Sequence, residues 1–463
     1  MALVSSASAT AAASPAPHLR FATIVALGQF AFPLAIAYLP LNLYLARFYG
    51  GDLKIDLAVV GLILMIARFA DFIVDPLIGA FADRYGRGYG RRRLWTLIAV
   101  PITMAGVYLN FIPPAGAGPL YLLLAVILVY LGWTMATIAY GAWGAEASAD
   151  YKERTRITGV REMFAFVGIL VASLAPLYSG GGPGSPNGFA PLMAALGWIV
   201  LILLPPSALL MVWLVPEPKT VVSGLVSWRR GLQVALSNGP FMRLLATNFV
   251  GRIGTAANLV AVVWFFEKGL DLGVKAGSPL VVYLVTAVAG APLWIWAGHK
   301  IAKHNALIIA SLGGIAVFSI LFFIPPGHLA LTTGIMAVAG IAGSAAAVLG
   351  ASIAADVIDL DAMRSREARA GLLLAFWGMA QKGADALGVG LGMFILSAFS
   401  FNPNGANDAH AILGLKIVYI AMPIVFWLLG AIFIWRFPIT PDRQRRIRAV
   451  LEHRAKREAA KNA

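Results

Sequence analysis

Twelve stretches of this 463-residue chain are apolar over about 20 residues or more, and they follow one another from end to end. A helix rises 1.5 Å per residue, so about 20 residues cover the ~30 Å hydrocarbon core of a bilayer. The pattern predicts spans at 22–46, 56–82, 94–113, 119–147, 157–178, 190–215, 239–267, 277–298, 305–324, 329–355, 370–399 and 411–437. The runs are continuous rather than alternating, which points to helices and not to a β-barrel. Composition agrees, because 60% of the residues are apolar and 12% charged, whereas a soluble domain sits near 45–50% and about 25%. An ordinary soluble enzyme and a disordered chain are both excluded. There is no cysteine, hence no disulfide and no thiolate metal site, and the histidines are scattered without ligand spacing. The expected fold class is an all-α membrane protein of twelve transmembrane helices.

The net charge of +15 would suggest nucleic acid in a soluble protein. Its placement gives it another meaning. With both termini cytoplasmic, about 28 lysines and arginines fall in inner segments and about 5 in outer loops, the positive-inside pattern. The basic excess is a topology signal, and the partners it implies are a lipid bilayer and a small-molecule substrate, not nucleic acid. The organisation expected is a mobile cytoplasmic N terminus at 1–21, a six-helix bundle at 22–215, a central cytoplasmic loop at 216–238, a second six-helix bundle at 239–437 and a basic cytoplasmic tail at 438–463. Loop and tail each hold a stretch readable as an amphipathic helix at the inner surface. The tail reads either as lipid-attracted or as a solvated helix that sets topology. The segment "SGGGPGSPNG" at 179–188 lacks the Gly-Lys-Ser/Thr ending of a phosphate loop and reads as a connector.

A charge at mid-bilayer costs roughly 2.5–3.5 kcal/mol, so each one needs a reason. In the second span Arg68, Asp71 and Asp75 are spaced to share one helix face. Two carboxylates in one low-dielectric cavity need a counter-charge. Either they hold a proton or Na⁺, or Arg68 neutralises one of them as a fixed ion pair. In the eleventh span Lys382 either pairs with Asp385, three residues on, or faces the central cavity and competes with a cation for the aspartates. In the seventh span Arg252 reads as a shallow residue snorkelling to the inner surface. Tyr140, Trp143, Asn248, Trp377 and Gln381 are candidates for a substrate cavity, with packing as the alternative for the aromatics. Asp83, Arg84, Arg87, Arg154 and Arg156 are candidates for a cytoplasmic gate, with topology as the alternative.

The segment "GAFADRYGRGYGRRR" resembles the G-x-x-x-D-R-x-G-R signature of major facilitator transporters. Three further stretches narrow the resemblance. "ARFADFIVDPLIGAFADR", the fourth-to-fifth span connection "YGAWGAEASADYKERTRITGVREMFAFVG" and the tenth-to-eleventh connection "ADVIDLDAMRSREARAGLLLAFWGMAQKGADALG" are similar to the glycoside–pentoside–hexuronide:cation symporters, the melibiose permease group. The resemblance implies two six-helix bundles around a central cavity. It also implies that Asp71 and Asp75 are cation-site carboxylates, that Lys382 is the eleventh-span lysine, and that Arg68 and Arg161 line the inner half of the cavity. There are departures. The aspartates that grip sugar in the first and fourth spans of the melibiose permease have no counterpart around Phe32 and Pro33 or at Ala139. A related vertebrate branch carries lysophospholipids, and a cavity without sugar-binding acids suits an amphiphile.

The function expected is cation-coupled (Na⁺ or H⁺) symport of a small organic solute, a sugar or glycoside first, by alternating access. The carrier is expected to be a monomer of the bacterial inner membrane with no cofactor and no enzymatic chemistry. The alternatives are a lysophospholipid or amphiphile symporter and a non-transporting pigment-delivery or assembly protein.

Overall fold

The computed structural model describes residues 19–84, 90–147, 151–217, 233, 235–365 and 370–462. The expectations for residues 1–18, for most of the central loop and for Arg87 lie outside the described residues, as do the side chains of Asp83, Arg84 and Arg154. Every regular element among the described residues is helical. The membrane helices are α1 (Phe21–Leu43), α2 (Leu57–Arg84), α3 (Arg91–Phe111), α4 (Pro119–Glu146), α5 (Tyr151–Leu174), α6 (Ala190–Leu214), α7 (Gly239–Trp264), α8 (Ser278–Lys300), α9 (Lys303–Leu321), α10 (Leu329–Ser365), α11 (Ala370–Ala398) and α12 (Ala409–Ile434). All but α11 are both long and apolar enough to cross a bilayer. Helix α11 has the length, at 29 residues, and carries Gln381, Lys382 and Asp385 in its interior.

Hydrogen-bond-saturated helices are what a chain must form in lipid, where no water completes a bare backbone group. What then holds helices together is close approach at small residues. A Cβ on Gly132 of α4 would sit 2.5 Å from the backbone nitrogen of Thr103, and one on Gly106 of α3 would sit 2.4 Å from Cα of Val129. Gly132→Leu is therefore expected to force α3 and α4 apart and to cost about 1–3 kcal/mol or more. Thermal unfolding in detergent checks this against Gly141→Ala, where nothing lies within 4 Å and stability is expected to hold or rise.

Helices α1–α6 and α7–α12 form two bundles. One end of the molecule collects the start of α1 and the helix that follows α12 and is called the terminal end; the other is the far end. Buried side chains link the two bundles at the far end, where Val260, Trp264, Phe265, Met393 and Phe401 belong to the same apolar cluster as Phe30, Tyr49 and Phe189. At the terminal end the second bundle keeps a cluster of its own around Phe241, Leu349, Ile353 and Leu360. The seam between α2 and α11 is tightest on the far side of the membrane centre, with Gly61 against Met393 and Gly390 against Met65.

The tail forms α13 (Pro441–Asn462), and it is docked rather than free. Ile447 is buried against the second bundle. Gln444 donates to Asp359 at 3.1 Å, Arg448 lies 3.7 Å from the same carboxylate, and Arg454 donates to the Met363 carbonyl at 2.8 Å. The two readings of the tail, lipid-attracted or solvated, thus give way to a strap across the end of α10.

Candidate functional site

Helix α2 runs unbroken through Asp71 and Asp75 and turns both toward α11. There Lys382 Nζ lies 2.7 Å from Asp71 Oδ2 and also pairs with Asp75 Oδ2. Thr134 Oγ1 of α4 donates to the other oxygen of Asp71. Asp75 Oδ1 is buried and has no hydrogen-bond partner. A lysine ammonium is a compact point charge, so a small cation can take its place between the two carboxylates. Oxygen is the donor set that a hard cation prefers, and the unpartnered Asp75 Oδ1 is a free ligand position or proton acceptor. The arrangement can exchange one fixed ammonium for one mobile cation.

A second charge cluster adjoins the first. Arg252 Nη2 donates to Asp385 Oδ2 at 2.8 Å, and Arg68 Nη1 lies 3.8 Å from the same oxygen. Arg68 Nη2 also donates to Asn42 Oδ1 of α1 at 2.6 Å, and its guanidinium lies over the Tyr130 ring. The aliphatic helices leave these groups little water, so each charge is met by an opposite one.

Beside the second cluster is a cavity of about 470 Å³ whose lining residues all lie between Leu244 and Ile434, within the second bundle. Asn248, Arg252, Thr255 and Gln381 supply its polar wall, and Tyr283, Trp377 and Trp427 its aromatic one. Alanines and glycines of α10 leave the space that larger side chains would fill.

At the far end Arg47 joins the bundles, at 3.1 Å from Glu267 of the second bundle and 3.3 Å from Asp52 of its own. Glu267 Oε1 also accepts from the backbone N–H of Gly184 at 2.7 Å, and Asn404 donates to the Gly51 carbonyl.

The family model described as "MFS/sugar transport protein" matches residues 25–441. The chain belongs to that family, the glycoside–pentoside–hexuronide:cation symporters of the major facilitator superfamily. It is a family of membrane transporters, not enzymes. The chain is 22% identical to an isoprimeverose transporter of Lactiplantibacillus pentosus, across 87% of this chain and 85% of the relative. It is 23% identical to a glucuronide carrier protein homolog of Escherichia coli, across 89% and 92%. It is also 23% identical to the human sodium-dependent lysophosphatidylcholine symporter 1, across 84% and 78%. Among solved structures, the nucleoside transporter NupG superposes with a TM-score of 0.67 at 13% identity over 90% of this chain and 99% of that one. An inward-facing bacterial homolog of the lysosomal transporter Spinster gives 0.65 at 18% identity over 92% and 97%. Both show the major facilitator fold.

Within this family fold, Asp71, Asp75 and Lys382 meet as one group. The contacts of Arg68 are with Asp385 and Asn42, and the ion-pair partner of Asp71 and Asp75 is Lys382. Lys382 does not pair with Asp385, which the two arginines occupy. Arg252 is not a shallow snorkelling residue, since it reaches inward to α11. Arg161 pairs with its neighbour Glu162 at 2.8 Å and lies 5.9 Å over the Tyr140 ring. Arg156 lies over Phe21. Asn248, Trp377 and Gln381 line the cavity, but Tyr140 and Trp143 do not. Trp143 is fully buried and donates to the Pro216 carbonyl, and Tyr140 packs edge-on against Phe30. Asp385 and the Arg47–Glu267 pair escaped the sequence reading as site residues. The signals for Asp385 were its place as a carboxylate in an apolar run and its i+3 spacing from Lys382.

Proposed function

We propose that this protein is a cation-coupled symporter that moves a small organic solute across a bacterial inner membrane by alternating access, both termini being cytoplasmic. The observation that carries the reading is Lys382 held between Asp71 and Asp75 with an unpartnered carboxylate oxygen at Asp75. Na⁺ or H⁺ replaces the ammonium there, and the change in charge distribution makes ion and solute affinities reciprocal. The far end is then the outer face, held shut by Arg47 and Glu267, and the substrate exchanges from the cytoplasm. The gate residues Asp83, Arg84, Arg87, Arg154 and Arg156 remain part of this reading as the latch of the opposite state. Sugars and glycosides come first as solutes, from the names of the bacterial relatives. A second reading, an amphiphile, is favoured by the largely apolar walls of the cavity and by the human relative's name.

The test is uptake into proteoliposomes driven by a Na⁺ or H⁺ gradient, with glycosides, pentoses, hexuronates and a lysophospholipid as candidates. Gradient-dependent uptake of one of them is expected to fall to background in Asp71→Asn and in Asp75→Asn. Uptake undiminished in both variants would sink the coupling site.

A further inference from the structure

Formal charge decides what kind of solute fits the mid-membrane groups. Arg68, Arg252 and Lys382 contribute three positive charges, and Asp71, Asp75 and Asp385 three negative ones. The two clusters therefore balance without any added ion. Other ion pairs among described residues share no residue with them: Arg91 and Arg92 with Glu146, Arg161 with Glu162, Lys303 with Asp356, the tail pairs Arg445 with Asp442 and Arg448 with Asp359, and the far-end Arg47 with Glu267 and Asp52. Loading one monovalent cation leaves one positive charge in excess, in a place where an unpaired charge is costly.

Geometry says which positive group is released. A cation between Asp71 and Asp75 displaces Lys382, and the nearest carboxylate on the same face of α11 is Asp385, three residues on. Asp385 already accepts a hydrogen bond from Arg252 at 2.8 Å and has Arg68 3.8 Å from the same oxygen. Of these Arg68 is the more enclosed, with 15% of its side chain exposed and a second bond to Asn42. Arg252 is 35% exposed and lines the cavity, whereas Arg68 does not line it. When Lys382 moves to Asp385, Arg252 is the group set free, and it is freed into the cavity.

We propose that the solute is an anion, carrying a carboxylate or phosphate group that Arg252 binds after it leaves Asp385, so that one cation and one monoanion cross together without net charge. Planar guanidinium groups bind both acceptors bidentately. The aromatic wall at Tyr283, Trp377 and Trp427 takes the apolar or ring portion of the same molecule. Asp385 is then a positioning residue that stores Arg252 in the unloaded state and receives Lys382 in the loaded one. This inference rests on the cation-coupling reading above.

The first measurement needs no solute. Na⁺, and separately pH, is titrated against thermal stability of the purified protein in detergent at constant ionic strength. In Arg252→Gln the loaded clusters are neutral, and the coupling cation is expected to bind on the order of tenfold more tightly than in wild type. In Asp385→Asn it is expected to bind on the order of tenfold more weakly. Arg252→Lys keeps the charge and is expected to match wild type, which separates charge from packing. Arg68 still holds Asp385 when Arg252 is replaced, so the variant retains that contact. Equal cation affinity in wild type and Arg252→Gln overturns the proposal. A wild type that responds to neither ion, like Asp71→Asn, overturns the coupling reading itself and the proposal with it.

The second measurement uses two matched pairs in saturating coupling cation. They are 4-methylumbelliferyl glucuronide against the corresponding glucoside, and lysophosphatidylglycerol, a phosphodiester monoanion, against a monoacylglycerol of the same chain. The anion of one pair is expected to bind at least about tenfold more tightly than its neutral twin, as for discrimination by one charge-assisted contact, and to lose that advantage in Arg252→Gln. The pair that responds tells a carboxylate from a phosphate. A neutral twin that binds as well as its anion overturns the proposal. If none of the four binds, the cation titration alone decides it.

Discussion

Lys382→Met is expected to give a protein that is unstable without its coupling cation and concentrates nothing against a gradient. The ammonium is the shared counter-charge of Asp71 and Asp75, and Thr134 is the other partner of this group. Removing one partner of a fully buried ion pair costs roughly 3–5 kcal/mol, because it leaves charge behind rather than removing it, and with Lys382 34% exposed the loss is expected below that range. A cation added from solution supplies what the lysine supplied. Thermal unfolding is therefore expected to show a loss in Na⁺-free neutral buffer, recovered by Na⁺ or by acid to a greater extent than wild type gains. Transport is expected to fail for a different reason, since a cation that no longer competes with an ammonium stays bound and cannot be released to complete the cycle. Unchanged stability in Na⁺-free buffer would mean that Lys382 is not the counter-charge that the contacts imply.

Glu267→Ala is expected to open the far end. Glu267 and Arg47 are nearly enclosed, at 5% and 10% side-chain exposure, and Glu267 also satisfies the Gly184 N–H. Parting the bundles at that end breaks the pair in any case, so its loss falls on the closed form alone. Of the roughly 3–5 kcal/mol attached to breaking a buried pair, even 2 kcal/mol shifts the equilibrium about thirtyfold. The chain has no cysteine, which makes a single reporter clean. Met393 is fully buried in the α2–α11 seam, so Met393→Cys reacts with a maleimide only when the seam parts. Its labelling rate in detergent is expected to rise at least about thirtyfold when Glu267→Ala is added. A smaller rise is expected with Glu267→Gln, which keeps an acceptor for Gly184. No rise in either would assign the seal to the apolar seam at Gly61 and Gly390.

The sequence carried the spans and the first charge cluster because both are local statements. A run of about 20 apolar residues is read within itself, and Asp71 and Asp75 announce themselves by being carboxylates in such a run. Their meeting with Lys382 was one of two readings of a lysine buried in an apolar run, the other being a pair with Asp385, and the resemblance to a family favoured it. Across-bundle facts were not legible. The sequence distance between Arg47 and Glu267 is 220 residues, and nothing local tells either that the other exists. The rotation of each helix was equally hidden. A helix apolar all round does not reveal which face packs and which borders a cavity, so Trp143, which is buried, and Trp377, which lines the cavity, looked alike. Spacing suggested Lys382 with Asp385, yet a neighbouring helix brought Arg252 to Asp385 first. One clue was legible and went unused: the small residues of "GIAGSAAAVLGASIAA" in α10 are too small to fill a bundle of this width, and they mark the cavity.

The strap formed by α13 turns the second bundle into an instrument pointer. Its 22 residues make a rod about 33 Å long, fastened to α10 through Asp359 and Ile447 and, further along, through Arg454 to the Met363 carbonyl. A rotation of the bundle by about 10° sweeps the tip of such a rod through about 6 Å. A spin label or fluorophore near Asn462, paired with one on the first bundle, thus converts a small rocking of helices inside the membrane into a distance change in water, where it is easy to read.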